Sequence, residues 1–263
     1  MIRSIRSLSA ALITLVLGTS PDTRQVSFPT EDGGVVHADV YGEGDRGLVL
    51  AHGGRFDKGS WAVQARVLAE AGFRTVAIDF RGRGESRGGP GSTGDDGVRF
   101  DVLAAVRYLQ QTGATTVSVV GASFGGWASA QASVLAPGEI DRLVLLASPV
   151  DEPERLTGRK LFILTREDAR GGGVLRLPEI REQYERAPEP KELVILEGSA
   201  HAQVIFVTPQ GEELMREILR FLTEPSLALT EGGEVSHLER AVRRFRMSHR
   251  VPLSDPIELG RGR

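Results

Sequence analysis

The chain contains no cysteine and no asparagine. The first absence excludes disulfides, thiolate metal sites, a cysteine nucleophile and a lipidated N-terminal cysteine. The second excludes an N-glycosylation sequon. Lysine stands at only three positions, Lys58, Lys160 and Lys191, so 29 of the 32 basic residues are arginine. Charge of one sign is also lacking. The net value is −3, which removes the electrostatic case for a nucleic-acid partner. Aromatic residues are sparse, at 6%. The apolar stretch Leu8 to Leu17 falls short of the roughly 20 residues that span a bilayer, so no stable membrane insertion is expected. What remains is an ordinary globular composition, 40% hydrophobic and 25% charged, which excludes disorder, collagen and coiled coil as descriptions of the whole.

The two ends differ from the middle. Met1 to Ser20 reads as a secretory signal, with Arg3 and Arg6 ahead of the apolar stretch and Gly18-Thr19-Ser20 supplying small residues for cleavage. A functioning signal places the protein outside the cell or in the periplasm, and its failure leaves it in the cytoplasm. Pro21 leaves the cleavage point open. After Pro225 the chain is broken by Glu231-Gly232-Gly233. Leu238, Ala241, Val242 and Phe245 then recur at helical spacing among arginines. A short helix docked on its own domain is expected there. Residues 21–224 form one domain, large enough for a single core, and the oligomeric state is not legible.

Within that domain, strand and helix patterns alternate. Val35 to Val40, Gly47 to Ala51, Thr75 to Ile78, Thr116 to Val120, Arg142 to Leu146, Leu161 to Leu164 and Leu193 to Leu196 are short apolar runs. Trp61 to Ala71 has helical periodicity and is stopped by Gly72. Val98, Val102, Ala105, Val106 and Leu109 mark one helical face, and Gly125 to Leu135, Glu179 to Arg186 and Leu214 to Leu222 give further helices. The pattern predicts an α/β fold, a mostly parallel sheet with helices on both faces. In such sheets the chemistry sits in loops beyond the carboxyl ends of the strands.

One such loop carries Gly121-Ala122-Ser123-Phe124-Gly125 between a strand and a helix. A sharp turn there holds a serine in a strained conformation with its Oγ clear of the sheet. Gly121 and Gly125 let strand and helix approach. The Phe124 N–H lies at the helix start, where free amides favour a developing oxyanion.

On this motif the chain resembles the α/β-hydrolase superfamily, and within it the small carboxylesterase and dienelactone-hydrolase-like branch. Leu50-Ala51-His52-Gly53-Gly54 and Asp79-Phe80-Arg81-Gly82-Arg83-Gly84-Glu85-Ser86 extend the likeness, which covers about Val35 to Leu222. Dienelactone hydrolases proper carry cysteine where this chain has Ser123, so their lactone substrate is not implied.

The resemblance implies a Ser-acid-His order along the chain. Of five histidines, His37 and His52 precede Ser123, and His237 and His249 lie in the tail. That leaves His201 as the base. Asp168 best matches the acid position, with Glu167 its neighbour and Asp151 a third choice. The second oxyanion donor is expected at Gly54, with Arg55 the alternative, and His52 is expected to be structural. Asp79 is expected to close a strand, and Asp95 or Asp96 to cap the helix that follows. The glycine-rich run Arg81 to Gly91 lacks a phosphate-loop signature and is expected to be a mobile loop. No metal-ligand spacing is evident, so neither cofactor nor metal is expected. Ala147 to Lys160 leaves no room for a helical cap, which predicts an open site. Phe56 and Trp127 flank it as candidate pocket residues. The implied activity is a serine carboxylesterase acting on small or short-chain acyl esters. A thioesterase or amidase using the same triad, or a catalytically silent binding protein of the same fold, are the alternatives.

Overall fold

The computed structural model describes residues 23–90 and 94–224. The signal read over Met1 to Ser20 and the tail helix read over Leu238 to Phe245 lie outside the described residues. Eight strands form one sheet: β1 (Arg24–Pro29), β2 (Val35–Tyr41), β3 (Arg46–Ala51), β4 (Phe73–Ile78), β5 (Thr116–Ala122), β6 (Arg142–Leu146), β7 (Arg159–Thr165) and β8 (Lys191–Leu196). Their order across the sheet is β1-β2-β4-β3-β5-β6-β7-β8. β2 runs antiparallel to both of its neighbours, and every pair from β4 to β8 is parallel.

Burial along the strands explains the apolar runs. Leu48, Val49, Leu50 and Ala51 are all 0% exposed, as are Leu161 to Leu164. Consecutive strand residues point to opposite faces, so both faces of the sheet are covered. Among the described residues the cover comes from five helices, α1 (Ala62–Glu70), α2 (Val98–Gln111), α3 (Phe124–Leu135), α4 (Leu177–Arg186) and α5 (Gly211–Thr223). The periodic positions predicted for α2 are buried, as are Leu214, Ile218, Phe221 and Leu222 of α5. Gly72 stops the chain after α1 with φ 89°, a conformation glycine adopts without a Cβ clash.

Three local expectations are corrected. β1 is an additional strand. Phe28 is buried while Pro29 ends the run at the sheet edge, where a missing N–H is tolerated. Asp95 and Asp96 do not cap a helix. They sit in a 3₁₀ turn, Gly94–Gly97, and the residue that precedes α2 is Gly97, with no side-chain capping bond. The run beginning at Arg81 is anchored rather than loose. The Arg81 guanidinium reaches Asp32 Oδ2 and Asp101 Oδ1, each at 2.7 Å, with Asp101 fully buried. Breaking such a buried pair by removing one partner costs about 3–5 kcal/mol. Arg87 also exchanges backbone bonds with Val35.

The parallel strands bring four loops to one edge of the sheet, after β3, β5, β7 and β8. Between β6 and β7 the chain makes only a short 3₁₀ turn, Pro153–Arg155, and no cap.

Candidate active site

Ser123 sits between β5 and α3 with φ 50° and ψ −113°. A non-glycine residue held there is strained, and such strain persists only where the surroundings enforce it. Here they do. The Ser123 N–H donates to Leu146 O at 2.9 Å, and Ser148 Oγ–H donates to Ser123 O at 2.6 Å. A Cβ on Gly125 would run into the Ala51 carbonyl, so glycine at this position is a condition of closing the turn.

His201 follows β8. Its Nε2 lies 2.8 Å from Ser123 Oγ, and its Nδ1 lies 2.7 Å from Asp168 Oδ2. A carboxylate only accepts, so Nδ1 carries the proton that it donates to Asp168, and Nε2 is free to accept from the serine hydroxyl. Asp168 is 0% exposed, whereas the His201 side chain is 33% exposed. Asp168 is therefore shielded from water, and His201 is open to it. Cross-loop bonds hold the two together. Thr165 Oγ1–H donates to Ala200 O at 2.8 Å, and the Glu167 N–H donates to Gly198 O at 2.9 Å.

The other two acids are placed elsewhere. Glu167 is exposed, and Asp151 accepts from Trp127 Nε1 at 2.6 Å and from Gln131 Nε2 at 3.3 Å. Asp151 also lines a cavity of about 280 Å³ with Val134, Val150 and Arg155; none of Ser123, Asp168 and His201 lines it.

The loop after β3 lies against the elbow. A Cβ built on Gly54 would stand 3.7 Å from Phe124 Cβ. The Gly53 N–H is occupied, donating to Gln203 Oε1 at 2.7 Å. Among the described residues, the N–H groups of Gly54 and Phe124 have no acceptor. The peptide joining Gly53 to Gly54 is held from its carbonyl side, since Gly53 O accepts from His52 Nδ1–H at 2.8 Å and from Phe56 N–H at 2.9 Å. His52 Nε2 accepts from Phe80 N–H at 3.3 Å. His52 is 1% exposed, and burial pushes its pKa below the usual histidine value. It is thus a neutral positioning group for this loop, in line with the structural role expected of it. The Arg55 alternative sits next door, where the Gly54 carbonyl is held by Arg83.

Of the two pocket candidates, Trp127 packs against Phe124 with ring centroids 5.6 Å apart, and Phe56 is 36% exposed beside Gly53. Asp79 closes β4 as expected and accepts from the Lys58 N–H at 2.8 Å. No group of three metal-ligating side chains occurs among the described residues. Sequence reasoning missed Gln203, Ser148 and Thr165. Each is an ordinary polar residue whose role depends on a partner in another loop, so no local pattern marks it.

A family model of the α/β hydrolase fold matches residues 48–169. The chain is 30% identical over 116 residues to the 2-hydroxy-6-oxononadienedioate/2-hydroxy-6-oxononatrienedioate hydrolases of Escherichia coli, a stretch that is 42% of this chain. That stretch spans 39% of the length of these relatives. An esterase of Pyrococcus furiosus superposes with a TM-score of 0.66 at 20% identity, over 77% of this chain and 92% of the esterase. An esterase of Exiguobacterium antarcticum gives 0.62 at 15% identity, over 76% and 100%. The chain has the α/β-hydrolase fold, and just under half of its length matches that family's model.

Proposed function

We propose that the chain is a serine hydrolase of small or short-chain carboxylic esters. One observation carries the reading: the Ser123 Oγ, His201 and Asp168 side chains form a continuous hydrogen-bonded relay, with links of 2.8 and 2.7 Å. Ser123 attacks the ester carbonyl while His201 takes its proton, and Asp168 orients and stabilises the imidazolium. The free N–H groups of Phe124 and Gly54 face the developing oxyanion. His201 then protonates the departing alcohol. A water molecule, deprotonated by the same histidine, releases the acid and regenerates Ser123. Every step uses protein groups and water alone, with no cofactor.

The short link between β6 and β7 supports small substrates, since among the described residues no cap covers a long acyl chain. Each methylene truly buried is worth about 0.8 kcal/mol, and an open site gains little of it. Phe56 and Trp127 serve as the apolar wall for the acyl group.

The Escherichia coli relatives support a second reading, hydrolysis of a 2-hydroxy-6-oxo-dienedioate by the same relay. A panel of p-nitrophenyl esters from acetate to palmitate, with matched thioester, amide and 2-hydroxy-6-oxononadienedioate, separates the readings. Fastest turnover on the short esters supports the proposal. Fastest turnover on the dienedioate replaces it with the second reading. Failure of Ser123 to react with a fluorophosphonate probe removes both.

A further inference from the structure

We infer that Arg176 is a positioning residue for catalysis, the cation set against the buried Asp168 carboxylate that moderates its pull on His201. This rests on the reading of Ser123, His201 and Asp168 as the catalytic relay.

Asp168 has two oxygens. Oδ2 accepts from His201, and Oδ1 faces Arg176 Nε at 3.3 Å. Both Oδ1 and Arg176 Nε are buried and make no well-aligned hydrogen bond, so each is compensated chiefly by the charge of the other. The Asp168 side chain is 0% exposed and that of Arg176 is 19% exposed. An ionised carboxylate in such a place is costly without a nearby cation.

The chain is built to bring these two residues together. After Asp168 it reverses on itself, with Ala169 bridged to Leu175 and the Arg170 N–H donating to Val174 O at 2.8 Å. Gly172 and Gly173 turn the corner with φ of 82° and 76°, which gives the triple glycine its purpose. The Arg176 N–H then donates to Asp168 O at 2.9 Å. That backbone bond does not use the Arg176 side chain, so the charge is separable from the loop.

Among the described residues, the other charged side chains of the surrounding loops have partners of their own or face solvent. Arg166 pairs with Glu197 and Arg170 with Glu179, both on the surface. Glu167 is exposed, and Asp151 is held by Trp127. Arg176 is thus the cation that faces Asp168. Its positive charge opposes the imidazolium formed when His201 takes the serine proton. Its loss leaves the Asp168 charge unbalanced, so His201 holds a proton to higher pH.

The test measures kcat and kcat/KM against pH on a p-nitrophenyl ester for the parent, Arg176→Gln and Arg176→Lys. The expected result for Arg176→Gln is an acid limb moved to higher pH by about 0.5–1 unit, with KM little changed. Arg176→Lys, which keeps the charge, holds the limb at the parental position. A uniform loss of activity in both variants with no movement of the limb overturns the inference and leaves a packing role. Should Arg176→Gln fail to fold, Arg176→Met takes its place: a raised acid limb there beside a parental limb in Arg176→Lys upholds the role of charge, and unmoved limbs in both overturn it. An active parent whose Ser123→Ala variant is equally active instead rejects the underlying reading of the site.

Discussion

The Trp127 indole donates its Nε1–H to Asp151 Oδ2 at 2.6 Å, while His201 Nδ1 turns to Asp168 instead. Asp151 is spent on holding an aromatic ring beside the elbow, while Asp168 alone reaches Nδ1. Asp168→Asn therefore lowers kcat by about 10⁴-fold, because an amide favours the wrong imidazole tautomer. Asp151→Asn and Glu167→Gln lower it by less than about tenfold, since neither touches the base. Steady-state kinetics of the three purified variants check this, and equal effects from all three contradict the assignment.

The acid and base were legible in unequal degree. The Gly-x-Ser-x-Gly turn is visible because its glycines answer a local steric demand at Ser123. His201 follows from strand order and the scarcity of histidine. Asp168 was ambiguous with Glu167 because adjacent loop residues differ only in which way they face, and burial decides that. Arg176 was invisible, since its partner stands across a reverse turn and no spacing rule links them. The parallel strands were clear from their apolar runs. β1 was not, because half of its short run is polar and exposed at the sheet edge.

His52 makes stability depend on pH in a definite direction. Its pKa in the folded chain is lowered by burial, so below about pH 6.5 the unfolded chain binds a proton that the folded chain refuses. Stability is full above that pH and falls as the medium becomes more acid, by up to about 1.4 kcal/mol per pH unit. Thermal melts of the parent and His52→Asn between pH 7.5 and 5 test it. The variant is expected to have a shallower slope and, at neutral pH, a lower kcat from a loosened Gly53–Gly54 peptide. Parallel slopes contradict the account.

Lys160 gives the opposite end of the scale. It is 1% exposed on β7, and burial lowers its pKa against an opposing pull from Glu189. The folded chain thus resists the charged amine that the unfolded chain carries freely below about pH 10.4. The penalty is present at neutral pH and is relieved as pH rises from the lowered value toward the ordinary one. Lys160→Met keeps the aliphatic stem and removes the charge, so it raises stability by about 1–3 kcal/mol at pH 7. Urea unfolding at pH 7 and pH 10 measures both the gain and its decrease at the higher pH. A destabilised variant at pH 7 shows instead that the amine is well solvated.

The most direct measurement is the turnover of a short p-nitrophenyl ester by Ser123→Ala. Ser123 carries a small hydroxyl at a half-buried position and is not a packing group, so the variant is expected to melt at the parental temperature. Its kcat is expected to fall by about 10⁴-fold or more, leaving only the contribution of the oxyanion donors and binding. A folded Ser123→Ala protein that hydrolyses the ester at the parental rate would show that the relay built on Ser123 is not the catalytic centre.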